Sequence, residues 1–172
     1  TSFPALLFVS ELPEVTVPPD DTVVCENGNA AFFVNAGVTT NPTYRWQVNT
    51  GSGVFNNISD GGKYIGSMTS RLSIFNATSD MNGYEYQVLI GGTCPPQFTS
   101  PEATLTVNTK PYITGEPVDA TICETDNTSF SVSATGSSLT YEWQVDKNDG
   151  NGFGNVTNGG IYYGATTATL KL

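Results

Sequence analysis

The stretch TVVCENGNAAFFVNA, residues Thr22–Ala36, decides the fold, because it returns without a gap as ATICETDNTSFSVSA, residues Ala120–Ala134. The two cysteines in these stretches, Cys25 and Cys123, are 98 positions apart. A fixed period of this length indicates an array of similar domains rather than one large domain. The chain of 172 residues therefore contains one repeat and a large part of a second.

Two further segments recur downstream of the cysteines. TYRWQV at 43–48 returns as TYEWQV at 140–145, one residue out of step, and GGKYIG at 61–66 returns as GGIYYG at 159–164, back in step. Features that both units share are expected to build the unit. Any recognition chemistry is therefore expected where the units differ, or in modules outside this chain.

The same register predicts the domain boundaries. TSFPALLFVSELP at 1–13 aligns with TSPEATLTVNTKP at 99–111. We therefore interpret 1–10 as the last strand of a preceding repeat, 11–109 as a complete domain and 110–172 as an incomplete second domain without its last two strands. An alternative is strand exchange, in which the first residues close the second unit of a neighbouring molecule, since an unpaired sheet edge invites association. That alternative supplies only one of the two missing strands.

Alternation of apolar and polar residues predicts strands throughout the chain. The serines around Phe130 and Val132 identify Phe32 and Val34 as the inward face of the corresponding first-unit strand. Further strands are predicted at Tyr44–Val48, Arg71–Phe75, Tyr84–Ile90 and Ala103–Val107. The predicted core consists of Phe32, Val34, Trp46, Leu72, Tyr84, Tyr86, Phe130, Val132 and Trp143. About seven short strands in a repeat of this length indicate an all-β fold of tandem antiparallel sandwiches of the immunoglobulin type.

Aromatic residues in the first unit support this architecture. Trp46 lies in the middle of a strand, as the central tryptophan of such a core does, and Asp80–Tyr84 has the pattern of a tyrosine corner. In that pattern the residue two after the corner tyrosine is a cysteine, but this chain has Tyr86 there. We therefore expect the usual inter-sheet disulfide to be replaced by apolar packing of Tyr86 on Phe32 or Val34.

The three cysteines are interpreted through the repeat. Cys25 opens the complete unit and Cys94 lies near its end, so we predict a Cys25–Cys94 disulfide. The corresponding partner of Cys123 falls beyond the last residue, which leaves Cys123 an unpaired thiol. A disulfide of this kind would place the protein outside the cytosol. The alternative is that the cysteines are buried free thiols.

Composition excludes several classes of function. A net charge of −10 does not suit nucleic-acid phosphates or an anionic membrane surface, and no run approaches the length of a spanning helix. Histidine is absent, which removes the commonest general base and transition-metal ligand. The acidic residues lie in turn-like segments, where solvated charge is the ordinary state. We therefore expect no catalytic residues, no enzymatic activity and no cofactor.

At this point the sequence resembles the tandem immunoglobulin-like repeats of large secreted and cell-surface proteins of Bacteroidetes. The segments that carry the resemblance are Cys25–Ala36, Thr43–Val48, Gly51–Phe55, Gly61–Gly66, Leu72–Ile74, Met81–Tyr86 and Ser100–Val107. Such repeats occur in adhesins, gliding-motility proteins and multimodular glycan-degrading enzymes. The resemblance implies an extracellular or cell-surface location, and export by the type IX secretion system.

Three kinds of ligand or modification site are candidates. Calcium could bind oxygen ligands near the junctions or in one loop, although that loop lacks a bidentate glutamate; the residues are Asp20, Asp21, Glu116, Asp119, Asp146, Asn148, Asp149 and Asn151. Exposed aromatic rings could stack on sugars, the alternative being packing; they are Phe55, Tyr64, Phe153, Tyr162 and Tyr163. Asp21-Thr22-Val23 fits the O-glycosylation sequon of the resembled group, which makes Thr22 a candidate acceptor.

The leading hypothesis is a non-enzymatic repeat segment of a large extracellular surface protein, acting as a rod-like stalk or adhesin spacer. Its partners would be neighbouring repeats of the same polypeptide. The alternatives are an immunoglobulin-like module that binds a glycan or a surface protein, and an accessory domain of a secreted polysaccharide-degrading enzyme.

Overall fold

The computed structural model describes residues 3–172 and divides into two compact units between Asn108 and Thr109. The first unit contains β1 (Thr22–Cys25), β2 (Ala30–Phe33), β3 (Thr43–Asn49), β4 (Asn56–Asn57), β5 (Tyr64–Ile65), β6 (Arg71–Ile74), the 3-10 turn Ser79–Met81, β7 (Tyr84–Gly91), β8 (Phe98–Thr99) and β9 (Ala103–Asn108). The second contains β10 (Tyr112–Gly115), β11 (Ser129–Ser131), β12 (Ser133–Thr135), β13 (Gln144–Asp146), β14 (Phe153–Asn155) and β15 (Thr169–Lys171). The four further strands predicted from alternation correspond to β3, β6, β7 and β9, and every end lies within one residue of its predicted bound.

The first unit is a sandwich of two sheets. One sheet has the order β1-β9-β7-β3-β4, with β8 added to β7, and the other has the order β2-β6-β5. All pairings are antiparallel except that of β1 with β9, which run side by side in the same direction. Burial alternates along β9 and along much of β7, as expected for strands with one face on a core.

Apolar side chains from both sheets form one core in the first unit. From one sheet come Phe32, Leu72 and Ile74, and from the other come Trp46, Tyr86, Val88, Ile90 and Leu105, all of them buried. Val34 is also buried, and Tyr84 is half-buried against the same core. This apolar layer between two sheets is the main source of the unit's stability.

Phe32 and Tyr86 take the place of the inter-sheet disulfide. Their rings stack with centroids 4.7 Å apart and planes inclined by 29°. The expectation that apolar packing replaces the disulfide is confirmed for this pair. Trp46 lies beside it, with its ring centroid 6.3 Å from that of Phe32.

The segment before β7 differs from the tyrosine corner expected from the sequence. Within the described residues, the hydroxyl of Tyr84 makes no hydrogen bond to the nearby backbone. Instead, Asn82 Oδ1 accepts a hydrogen bond of 2.9 Å from the N–H of Val107, and the N–H of Gly83 donates to the carbonyl of Leu105. The side chain of Asn82 therefore makes the hydrogen bond to the backbone that the tyrosine-corner pattern assigns to the tyrosine hydroxyl.

The second unit has three two-stranded sheets, β10-β12, β11-β15 and β13-β14. Its small core consists of Val156, Ala165 and Leu170, with Trp143 and three other half-buried apolar residues packed against it. The predicted core residues Phe130 and Val132 are only half-buried and lie outside this cluster. The physical reason is that residues 110–172 contain no counterpart of β7, whose Tyr86 covers the corresponding Phe32.

The segment ahead of β1 is attached to the first unit only from Ser10 onward. The side chains of Phe3, Leu6, Leu7, Phe8 and Val9 are all exposed, and residues 3–10 form no strand in this structure. Beyond them, the N–H of Glu11 donates to Thr40 Oγ1 at 2.8 Å, and Val17 forms a bridge with Asn35. Large apolar side chains of this kind are usually buried in folded proteins, and here they are not.

Candidate functional site

One hairpin loop differs between the two units in both length and composition, which makes it the first candidate site. In the first unit the loop joins β3 to β4, with Val48 opposite Asn56, and in the second it joins β13 to β14, with Val145 opposite Gly154. The second loop is one residue longer and reads DKNDGNGF in place of NTGSGVF. Its composition of acids, amides and one phenylalanine is the reason to ask whether it binds a ligand.

The loop carboxylates bind their own backbone. Asp146 Oδ1 accepts a hydrogen bond of 2.8 Å from the N–H of Asn148, and Asp149 Oδ1 accepts one of 3.0 Å from the N–H of Asn151. This hydrogen bond from Asn151 holds the pKa of Asp149 below its usual value. The carboxylates therefore shape the turn, and no cluster of three or more acidic, histidine or cysteine residues suited to a metal occurs within residues 3–172. Calcium binding at this loop or near the junctions stays a prediction.

An open cleft of about 320 Å³ lies beside the loop and looks at first like a ligand pocket. Val145 and Tyr162 are among its lining residues. Their first-unit counterparts, Val48 and Tyr64, face Tyr86 of β7: Val48 is opposite Tyr86 in the sheet register, and the rings of Tyr64 and Tyr86 are 6.3 Å apart. The cleft therefore corresponds to core space that a strand fills in the first unit, and it is not evidence of a ligand site.

Two exposed aromatic rings remain as candidates for contact with a sugar. The side chain of Phe153 is 71% exposed and that of Tyr163 is 61% exposed. In the first unit, Phe55 is half-buried and Ile65 takes the place of Tyr163. At these two repeat positions the second unit therefore exposes an aromatic ring where the first unit does not.

The polar groups that recur in both units make the same internal contacts in each. Trp46 Nε1–H donates to the carbonyl of Thr69, and Trp143 Nε1–H donates to the carbonyl of Thr167, both at 2.8 Å. Each tryptophan thus fixes the turn that precedes a strand of the other sheet. A shared feature with this much internal bonding is structural.

A second recurring contact was missed by the sequence reasoning. Asp60 Oδ1 accepts a hydrogen bond of 2.7 Å from the N–H of Ser67, and Asn158 Oδ1 accepts one of 2.9 Å from the N–H of Ala165. The hydrogen bond from Ser67 holds the pKa of Asp60 below its usual value. The sequence did contain a signal for this contact, since Asp60 is replaced by Asn158 at the same repeat position. The two side chains share only the Oδ1 acceptor, which indicates a hydrogen bond accepted by that oxygen in both units.

Thr22, the candidate O-glycosylation site, is half-buried at the start of β1. Its hydroxyl donates to the carbonyl of Asp20 at 3.3 Å, and Asp21 Oδ1 accepts a hydrogen bond of 2.7 Å from the N–H of Thr104. Modification of Thr22 stays a prediction.

The structure does not bring Cys25 and Cys94 together, and all three cysteines are free thiols. Cys25 lies beside Asn108, three residues from the row in which Thr22, Leu105 and Tyr84 are aligned. Cys94 follows β7, which starts at Tyr84 in that row and runs toward the other end of the sheet. At about 3.3 Å per residue, the two ends of the sheet are about 30 Å apart. A disulfide needs Cα atoms within about 7 Å, so the predicted Cys25–Cys94 pair does not fit this arrangement.

Cys123, predicted to be an unpaired thiol, is exposed in the second unit. Histidine is absent from the whole sequence, so none of the described sites contains the usual general base. Within residues 3–172, no helix has the length and apolarity needed to cross a membrane.

Comparison with known proteins identifies the fold. No family model and no curated protein sequence matches the chain. Among solved structures it is similar to the I-band fragment I67–I69 of titin, with a TM-score of 0.70 and 13% identity over 95% of this chain and 56% of that one. It is also similar to Sidekick-1 immunoglobulin domains 1–5, with a TM-score of 0.62 and 20% identity over 96% of this chain and 33% of that one. A third is the extracellular domains 3–5 of Drosophila OTK, with a TM-score of 0.59 and 17% identity over 99% of this chain and 55% of that one.

The chain thus has an all-β immunoglobulin-like fold, as its sequence predicts. It spans between about a third and just over half of the three matched structures. Identities of this size establish the fold alone, and fold by itself does not define function.

Proposed function

We propose that the chain is a non-enzymatic repeat segment of a large extracellular surface protein and acts as a spacer between other modules. The observation that carries this proposal is the repeated internal hydrogen bond of Trp46 and Trp143, together with the Asp60 and Asn158 contacts. The chemistry that the units have in common is used to build each unit. A repeated unit without a repeated binding site suits a spacer.

The exposed apolar segment at 3–10 supports the array on which this function depends. Phe8 and Val9 occupy the places that Thr106 and Val107 occupy in β9, and Val107 is buried in the core of the first unit. We therefore propose that 3–10 is the closing strand of a preceding repeat. A location at the cell surface, and export of the type found for the resembled Bacteroidetes proteins, belong to the same proposal.

The spacer function is tested by exchange in the parent protein. Replacement of 11–109 with an unrelated immunoglobulin-like domain of equal length should leave surface display and activity of the parent protein unchanged. Deletion of the same residues should reduce them. If the replacement reduces them as strongly as the deletion, the particular sequence of the repeat matters and the spacer proposal is overturned.

A second candidate function is glycan binding through Phe153 and Tyr163, which is favoured by their exposure on the unit that differs. Aromatic faces of this kind can pack on the apolar faces of sugars. A glycan array probed with the 172-residue chain tests this candidate. Binding that is lost in both Phe153→Ala and Tyr163→Ala, but kept in Ile65→Ala, would favour recognition over a spacer.

A further inference from the structure

The contacts of the cysteines can be compared through two residues that are equivalent in the repeat. Ser10 and Asn108 occupy the same place in the repeat, because SELP at 10–13 aligns with NTKP at 108–111. Asn108 is the last residue of β9, the closing strand of the complete repeat. Ser10 is therefore the matching last residue of the closing strand that we assign to the preceding repeat.

Cys25 lies at the carbonyl of Asn108. The two residues are partners in the parallel pairing of β1 with β9. The next residue, Glu26, donates its N–H to the carbonyl oxygen of Asn108 at 2.8 Å. Within one repeat, the first cysteine therefore lies beside the last residue of the closing strand.

Cys94 lies at the carbonyl of Ser10. Its thiol donates to that oxygen, with Sγ 3.5 Å away. The contact is held in place from both sides, because the N–H of Glu11 donates to Thr40 Oγ1 and the N–H of Thr93 donates to the carbonyl of Thr40. The second cysteine of a repeat therefore meets the last carbonyl of the strand that closes the repeat before it.

We propose that Cys94 forms a disulfide with the cysteine that takes the place of Cys25 in the preceding repeat, so that disulfides join successive repeats instead of closing one. Both cysteines converge on the same repeat position, the carbonyl of Ser10 or Asn108. Cys25 lies one strand spacing, about 5 Å, from Asn108, and Cys94 Sγ lies 3.5 Å from the carbonyl oxygen of Ser10. The proposal requires the Cα atoms of the two cysteines of neighbouring repeats to come within about 7 Å of each other. The proposal rests on the proposed array function.

The chemistry is an ordinary thiol–disulfide exchange with an external low-molecular-weight disulfide such as oxidised glutathione. The two protein thiols lose two protons and two electrons and form one S–S bond. The external disulfide takes up both and is released as two thiols. In the 172-residue chain, this pairing leaves Cys25, Cys94 and Cys123 reduced, as they are in the structure.

The first test uses the chain as it is. After equilibration with reduced and oxidised glutathione, the thiols are blocked and the monomer is digested and mapped by mass spectrometry. We expect three blocked or glutathione-bearing cysteines and no peptide that joins Cys25 to Cys94. A monomer with Cys25 joined to Cys94 would overturn the proposal.

The second test supplies the missing partner. A second copy of residues 11–98 is fused ahead of Thr1, which restores a whole repeat before the chain. We expect the added copy of Cys25 to be joined to Cys94 and the mass of the extended chain to fall by two hydrogens. Cys94→Ser should abolish the bond, and the matched control Cys123→Ser should leave it intact.

Hydrogen exchange of the amides at 5–9 separates the two proposals. Protection in the extended chain shows that the segment has become a strand of the restored repeat, as the array proposal requires. Protection without the bond to Cys94, or a bond within the added copy, overturns the disulfide proposal alone. Failure of the segment to gain protection overturns both.

Discussion

The hydroxyl groups of Tyr64 and Tyr86 lie 3.2 Å apart, one from each sheet of the first unit. Burial raises the pKa of both phenols. Each hydroxyl thus satisfies the other inside the sandwich, where an unpaired hydroxyl would be costly.

The stability of the first unit should fall at alkaline pH. The fold favours the neutral phenols, so their contribution is complete below the ordinary tyrosine pKa of 10.0 and is lost as the pH rises above it. Urea midpoints measured from pH 8 to pH 11 should decline, and Tyr86→Phe should flatten the decline. The variant should itself cost about 1 kcal/mol at neutral pH, because it leaves Tyr64 without its partner. The same alkaline decline in Tyr86→Phe as in the parent would contradict this assignment.

Removal of the stacked ring of Phe32 should destabilise the first unit strongly. Phe32→Ala leaves a cavity against Tyr86, and such a truncation costs about 3–5 kcal/mol. The matched control is Phe33→Ala on the other face of β2, where the ring is 56% exposed and lies under the guanidinium of Arg71. That control should cost about 1 kcal/mol or less. Equal shifts of the urea midpoint in the two variants would contradict the assignment of Phe32, and not Phe33, to the core.

Gly66 should tolerate no side chain. Its φ is +89°, and an added Cβ would overlap the carbonyl oxygen of Arg71. Gly62 also has a positive φ, of +58°, but an added Cβ there meets open space. Gly62→Ala should therefore cost about 1–2 kcal/mol from backbone strain alone, whereas Gly66→Ala should cost at least about twice as much. Thermal unfolding of the two variants provides the comparison, and similar melting temperatures would refute it.

Asp60 should be replaceable by asparagine but not by alanine. Asn158 shows that an amide oxygen can accept the same hydrogen bond in the other unit, so Asp60→Asn should keep the stability of the parent at neutral pH. Because the fold lowers the pKa of Asp60, its contribution is present above the ordinary value of 3.8 and is lost as the pH falls below it. Acid titration followed by circular dichroism should show a smaller acid loss in Asp60→Asn, and Asp60→Ala should be weaker than both at neutral pH. If Asp60→Asn and Asp60→Ala behave alike, the contact to Ser67 does not stabilise the turn.

Strands of the first unit could be predicted from the sequence because alternation reports one buried face directly. β3 at Thr43–Asn49 and β7 at Tyr84–Gly91 follow their predicted bounds closely. The stack of Phe32 on Tyr86 was also predictable, since an aromatic residue stood where the fold normally has a cysteine. In the second unit the same pattern predicted Phe130 as core, but burial depends on a facing strand, which its own alternation cannot supply.

The pairing of cysteines could not be predicted in the same way. Sequence separation favours closing a long loop, and Cys25 and Cys94 satisfy that argument. Which end of the sheet each occupies depends on the order of the strands, and the parallel pairing of β1 with β9 sends Cys25 to the far end. The pair of Tyr64 and Tyr86 was missed for a related reason, because it depends on how one sheet is seated on the other.

The parallel pairing of β1 with β9 also determines how the first unit responds to a pulling force. The four aligned pairs from Thr22–Leu105 to Cys25–Asn108 connect the first strand of the unit to its last. A force that draws the start of β1 and the end of β9 apart acts along the strands, so it shears their evenly spaced hydrogen bonds together instead of opening them one at a time. Rupture under load then depends on the unfolding rate and not on the equilibrium stability. A substitution that weakens this one pair of strands would shorten the lifetime of the unit under tension more than its urea midpoint indicates.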